Sequence, residues 1–524
     1  MGIYLNPNNE NFKESTRAEI YVDKTMMIAA VNKLKEQGNK YICISRPRRF
    51  GKTIAGNMLS AYYSKGCDSR ELFAPYKIAR TEGFEDKLNK YNVIKIDVNS
   101  EYQNVSNKDD LLKRLTKKIK QEMEKTFPQI IFDEEDTLAE AILKIYSETN
   151  ETFIIIMDEY DVLVREKVSQ GLFDEYLSFL NGLFKSDTLR PAISLAYLTG
   201  ILPVVRDKIQ SKLNNFEEYT VLDADELAEF VGFIPEEVKA LCDKYGMDYE
   251  ECRRWYDGYR QYGYDIYNPE SVVKSMRKGH YGNYWSKTSS YEVIAERIRQ
   301  NFEGTKEDVV KMLAGENVDV NVTRYLNTMT SFNTKSDVFT YLIHVGYLAY
   351  DSKSETCRIP NKEIRKEWQN AVRILDDYSV TDEIIQASKE LLRETIRGNE
   401  QAVSQALDKS HIHVTSNRSY NNEDALQSAI YLSYIYALNK YTIIKEMTAG
   451  KGFADVVFIP FEEGYPAMVI ELKRNDCTES AMEQIKEKQY LDSLEHYEGD
   501  LLLVGINYDE KEKTHTCRIE HSGI

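Results

Sequence analysis

Four short apolar runs punctuate the first 200 residues: Tyr41–Ser45, Asn92–Ser100, Phe153–Asp161 and Ile193–Ile201. Each reads as a strand, and FIIIMDEYD (153–161) is an apolar run of the kind buried on both faces of a parallel sheet. Between them lie helix-period segments. MMIAAVNKLKEQG is closed by Gly38, and TIAGNMLSAYYSK repeats apolar Ile54, Met58 and Tyr62 every fourth position. Charged helical stretches follow at 107–126 and 136–149. Strands separated by helices of this length predict right-handed βαβ units and a doubly wound parallel sheet.

The pattern then changes. From Leu222 to about Tyr284 it is helical and aromatic, with Asp257-Gly258 and Asn268-Pro269 read as tight turns. Residues 290–400 are mostly amphipathic helix with one apolar stretch at 339–350, too patterned for a flexible tether. A further domain is expected from about 400, opening with helices. There GFADVVFIPFEEGYPAMVIELKR (452–474) reads as a hairpin, and LLLVGINY (501–508) as one more strand. No internal repeat is visible.

Composition narrows the class. A chain of 524 residues, 42% hydrophobic and 29% charged, supports two or three globular domains. No run approaches the ~18 apolar residues of a membrane span, so no membrane is expected. The first residues lack the basic start and apolar core of a secretory signal. Seven scattered cysteines form no CxxC pair, which favours a reduced, cytoplasmic setting without a zinc site. A net charge of -17 excludes a surface coated with nucleic-acid-binding cations but leaves room for a local basic groove.

Two stretches carry chemistry. In YICISRPRRFGKT (41–53), a strand runs through a basic turn into Gly51-Lys52-Thr53 and a helix, the context of a phosphate-binding loop. Backbone N–H groups at a helix start cradle a β-phosphate, a lysine reaches the β/γ oxygens, and a threonine hydroxyl serves Mg²⁺. Arg46 stands where the general pattern has glycine. Arg46, Arg48 and Arg49 add phosphate contacts or serve another anion; the plainer alternative is a basic turn capping a helix. About a hundred residues later, the apolar run ending in Asp158-Glu159 supplies a metal carboxylate and a water-polarising one. In the C-terminal hairpin, Asp455 can approach Glu471 across the strands while Lys473 shares the face of Glu471. Two carboxylates and a lysine suit metal-assisted phosphodiester hydrolysis, the alternative being a surface hairpin with an exposed Glu-Lys pair.

Residues 1 to about 285 resemble the AAA-ATPase-like domain that accompanies a PD-(D/E)XK nuclease domain in many bacterial proteins. YVDKT (21–25), SRPRRFGKT, IIIMDEYDVL, LTGI, LNN (213–215), WYDGYR (255–260), YNPES and YWSKTSS carry that resemblance. Arg46 belongs to that family's own loop. The resemblance implies an AAA-like P-loop NTPase fold that binds ATP and Mg²⁺. Arg48, Arg49, Phe50, Gly51, Lys52, Thr53, Ile54, Asp158 and Thr199 are then nucleotide contacts, with Thr199 sensing the γ-phosphate, Thr53 and Asp158 at the metal, and Glu159 catalytic. The C-terminal spacing, Asp455 then Glu471-x-Lys473, resembles the PD-(D/E)XK core, with Ala454 replacing its proline. This implies a restriction-endonuclease-like α/β domain in which Asp455, Glu471 and Lys473 are catalytic and Glu423, Asp455 and Glu471 hold metal. Gln484 and Tyr490 fit its QxxxxxY pattern. The expected organisation is 1–285 ATPase-like, 286–400 helical connector and 401–524 nuclease-like, in a possible homo-oligomer. The expected activity is ATP-regulated cleavage of DNA, and the alternative is a non-cleaving, ATP-switched binder of nucleic acid or protein.

Overall fold

The computed structural model describes the chain apart from residues 1, 167, 204–205, 208–209, 212, 214, 262, 286–291, 300–301, 303, 314, 324–331, 374–378, 415–425, 427–428, 432, 450–451, 461–463, 488–499 and 523–524. Two compact units emerge, Met1–Ser290 with Asp319–Ile364, and Tyr291–Val318 with Arg365–Ile524. Residues 286–400, read from sequence as one connector, are divided between them.

The first unit is built on the four apolar runs. They form strands β1 (Tyr41–Ser45), β2 (Asn92–Asp97), β3 (Phe153–Asp158) and β4 (Ile193–Gly200), joined at one edge by the short β5 (Glu217–Tyr219). The order is β2-β3-β4-β1-β5, and every pairing is parallel. Residues of β1, β3 and β4 are almost uniformly buried, which is why these runs show no alternation. Register aligns the carboxyl ends: Ser45 pairs with Gly200, Met157 with Leu198, and Asp97 with Asp158. Helix α1 (Lys52–Tyr63) follows β1 directly. Helices α2 (Leu111–Thr126) and α3 (Leu138–Thr149) bury Leu115, Ile119, Ile142 and Ile145 in the core formed with β2, β3 and β4. Thr137 and Glu140 form a reciprocal capping box that starts α3.

The aromatic stretch makes a smaller core in the same unit, where Phe233, Trp255, Tyr256, Tyr267, Val272, Met276 and Tyr284 pack together. Asn268 is a helix cap here and not a tight turn. Its side chain accepts from the backbone N–H of Glu270 (3.0 Å) and Ser271 (3.4 Å), and Pro269 begins helix α4 (Pro269–Lys278).

The second unit has a mixed five-stranded sheet, β6 (Tyr441–Ala449), β7 (Gly452–Pro460), β8 (Ala467–Arg474), β9 (Leu501–Asp509) and β10 (Thr514–Ser522) in sequence order. Only β8 and β9 are parallel. Alternation along the strands feeds two cores. Phe458, Ile470, Leu472 and Val504 face Leu391, Leu392, Val403 and Leu407 of helices α5 (Ser379–Ile396) and α6 (Glu400–Val414). Val457, Val469 and Leu503 pack with Met482 and Ile485 of helix α7 (Thr478–Glu487). Among the described residues, no helix is long and apolar enough to cross a membrane.

Candidate functional site

β1 ends in a loop whose path is set by three unusual residues. Arg46 is fully buried, and its Nη1 donates to the carbonyls of Ser45 and Tyr219 at 2.8 Å each, fastening the loop's start to β5. Burial lowers its pKa to about 10. Arg49 (φ 72°) and Gly51 (φ 92°) adopt left-handed backbone, and Gly51 is the residue from which α1 begins. A Cβ at Gly51 would meet nothing within 4 Å, so conformation and not space selects glycine there. The positive end of the α1 dipole therefore opens onto the loop.

Lys52 is 7% exposed, and its Nζ donates to the carbonyls of Arg46 (2.9 Å) and Pro47 (2.8 Å), so the amine lies back on its own loop. Burial brings its pKa down to about 8, a fall opposed by the carboxylates of Asp158, Asp161 and Glu159. The next side chains, Thr53 and Ile54, are exposed, Ile54 by 44% despite being apolar. They face a cavity of about 760 Å³ that is also lined by Arg48, Arg49, Phe50, Gly51, Glu159 and Arg165. Ile20, Tyr21, Val22, Phe230, Phe233 and Val273 supply apolar wall.

At the end of β3, Asp158 is buried and accepts from the Thr199 hydroxyl and from the Glu159 N–H at 3.1 Å. Thr199, expected to sense a γ-phosphate, thus spends its donor on Asp158. Glu159 is a non-glycine residue at φ 50°, the kind of strained backbone that clusters at functional sites. Sequence reading missed its partner. Arg165 donates Nη2 to Glu159 Oε2 at 2.9 Å and Nε to Asp161 Oδ2 at 3.0 Å. The same Asp161 oxygen accepts the N–H groups of Ile201 (3.0 Å) and Leu202 (2.9 Å). The i,i+4 spacing of Asp161 and Arg165 was a readable signal. YVDKT also proves to be more than a helix start. Tyr21 and Lys24 line the cavity, while Asp23 accepts from Thr25 and from the Lys77 N–H.

In the second unit, Glu471 is 1% exposed, which removes the reading of an exposed Glu-Lys pair. Lys473 Nζ lies 3.6 Å from Glu471 Oε1 and donates to Gln484 on α7, so these three share the α7 face of the sheet. Of Asp455 only the backbone position is described, on β7 next to Val456, which pairs with Ile470 of β8. Glu423 and Tyr490 lie outside the described residues. Among the described residues, no group of three or more metal-binding side chains converges.

Comparison with known proteins finds a match within each unit. Residues 9–210 match the family described as a predicted AAA-ATPase, and residues 421–517 match the PD-(D/E)XK nuclease superfamily. An uncharacterized protein from the vnfD 5' region of Azotobacter chroococcum mcd 1 is 23% identical over 288 residues, 53% of this chain and 52% of that protein. The chain thus spans about half the length of the curated relative it matches. Among solved structures, the Walker-type ATPase PABY2304 of Pyrococcus abyssi is similar over 67% of this chain and 97% of its own (16% identity, TM-score 0.34). Cdc6p from Pyrobaculum aerophilum is similar over 71% and 99% (12% identity, TM-score 0.24). The ORC2 protein of Aeropyrum pernix is similar over 68% and 95% (12% identity, TM-score 0.24). The chain joins an AAA-ATPase-like P-loop domain to a C-terminal domain of the PD-(D/E)XK nuclease superfamily.

Proposed function

We propose that the first unit binds and hydrolyses ATP at Gly51-Lys52-Thr53 and that the second cleaves DNA with Mg²⁺, the nucleotide state governing cleavage. The observation that carries this reading is Lys52. It is a buried amine at a helix N-terminus, on the wall of a cavity of nucleotide size, and it donates to two carbonyls of its own loop. A triphosphate would replace those carbonyls with oxyanions. Arg48 and Arg49 stand on the same wall to meet further phosphate charge. Glu159 would orient the attacking water once freed from Arg165. The Thr53 hydroxyl and the Asp158 carboxylate are hard oxygen donors that suit Mg²⁺. In the second unit Glu471 and Asp455, with Glu423, would hold Mg²⁺, which when bound activates water and offsets charge on the leaving oxygen. Lys473 would sit beside the scissile phosphate.

The test is plasmid nicking and ATP turnover by the wild type, Lys52→Ala and Glu471→Ala, with and without a non-hydrolysable ATP analogue. Nicking should vanish in Glu471→Ala, and the response to analogue should vanish in Lys52→Ala. Nicking that ignores nucleotide in the wild type would sink the regulatory part alone. The burial of Glu471 favours one other reading, a non-cleaving, ATP-switched binding protein. Nicking equal in the wild type and Glu471→Ala would select it.

A further inference from the structure

A second cavity, of about 590 Å³, lies within the second unit and belongs to neither site described above. Helix α5 brings Lys389, Arg393 and Arg397 to it at four-residue spacing, one above another on a single face, and all three are exposed. Lys440 lines the same cavity. Two tyrosines stand among these cations: Lys389 Nζ is 5.7 Å from the ring centroid of Tyr436, and Lys440 Nζ is 5.0 Å from that of Tyr465. Two carboxylates attend the four cations. Glu390 pairs with Arg393, and Glu394 accepts from Arg393 Nε (3.2 Å) and Arg397 Nη1 (3.0 Å). These pairs orient the guanidinium groups and leave further N–H donors on each. In a chain where 85 acids outnumber 68 basic residues, such a concentration is set against the background charge.

We infer that this groove binds the backbone of a nucleic-acid strand. A nucleic acid offers an anion at every residue, a regular array that suits cations repeated at four-residue spacing on one helix face, whereas an acidic peptide carries no such fixed backbone charge. The groove lies on the α5 face of the sheet and Glu471 on the α7 face, so holding a strand and cutting it are separable. The inference deepens the reading above and rests on it only for the class of substrate.

The experiment uses full-length protein in EDTA, a fluorescein-labelled 20-nucleotide oligothymidylate and anisotropy across a salt series. Lys389→Gln with Lys440→Gln removes two of the four cations that line the groove. It should raise Kd roughly tenfold and flatten the log Kd against log salt slope by about 1.4, two single-strand phosphate contacts. An equal charge change elsewhere, Lys486→Gln with Lys511→Gln, should leave Kd unchanged, and both variants should melt with the wild type. Glu471→Gln should bind as the wild type does. No binding by the wild type, or equal Kd in groove and control variants, overturns the inference. So does a decaglutamate peptide that binds the groove as tightly as the oligonucleotide. Groove-dependent binding without Mg²⁺-dependent nicking would uphold the groove and defeat the nuclease reading. Nicking without groove-dependent binding would do the reverse.

Discussion

At the scale of one residue, the proposed nucleotide site turns on Lys52. With its pKa near 8, the folded unit gives up a proton that an unfolded lysine keeps until about 10.4. Below pH 8 both states are protonated and the cost of the buried charge is fully present. Between 8 and 10.4 the unfolded chain holds more protons, so rising pH removes that cost and stability from this group increases. Phosphate oxyanions would pull the pKa back up. ATP binding at pH 8.5 should therefore take up a fraction of a proton, read as a dependence of calorimetric heat on the buffer's ionisation enthalpy. Lys52→Met should abolish the dependence; an uptake unchanged in that variant would assign the proton elsewhere. Glu159→Gln should retain ATP and slow turnover on the order of 10²-fold, measured by phosphate release, if the carboxylate orients water. The placement of Gly51-Lys52-Thr53 at a helix start and of Asp158-Glu159 at the end of a buried strand was legible because each is a local pattern. Arg165, the burial of Arg46 and the bond from Thr199 to Asp158 were not, because they depend on how β1, β3, β4 and β5 meet.

The strands work as elements by bringing their carboxyl ends level, and Asp161 joins two of them. Sitting just past β3, it takes the N–H groups of Ile201 and Leu202 just past β4, together with Arg165. All of this happens at a fully buried carboxylate. Asp161→Ala would leave two buried N–H groups without their acceptor and Arg165 with Glu159 as its remaining carboxylate, which costs about 3–5 kcal/mol. Urea unfolding followed on the first unit should show that loss; a shift under about 1 kcal/mol would mean that the ends are held otherwise. Gly200 belongs to the same junction. A Cβ there would lie 2.7 Å from the Tyr160 ring and 2.8 Å from Asp161 Oδ1, so close approach requires the glycine of LTGI. Strands β1, β3 and β4 were readable because both faces are buried and the runs are almost wholly apolar, and β2 because Val93, Ile94 and Ile96 outweigh Lys95 and Asp97. The three-residue β5 was not, since Glu217-Glu218-Tyr219 has no apolar run and pairs along one edge only. Neither was the strand order, which periodicity does not encode.

For the whole molecule, the decisive feature is how the chain is shared between units. A change of pattern near 400 suggested a domain starting there, since the hairpin with Glu471 and Lys473 follows it. The physical core of the second unit starts earlier. Leu391 and Leu392 on α5 are 1% and 3% exposed and pack with Val403, Leu407 and the sheet, and the Thr395 hydroxyl meets that of Tyr434 at 2.7 Å in the same interior. An amphipathic helix before a strand-rich region reads equally well as connector or as core, so sequence alone had no means to place the cut. The consequence is measurable. Truncating a buried leucine to alanine costs about 2–5 kcal/mol. Removing α5 deletes two such leucines and exposes the surface they cover, a loss comparable to the ~5–15 kcal/mol of a whole domain. A fragment of residues 401–524 should therefore lack a cooperative thermal transition by circular dichroism. A fragment of 365–524, which keeps α5, should show one, and Leu391→Ala with Leu392→Ala in the full chain should lower the melting temperature of the second unit. Equal cooperative melting of the two fragments would show that the helix is dispensable and that the domain begins near 400 after all.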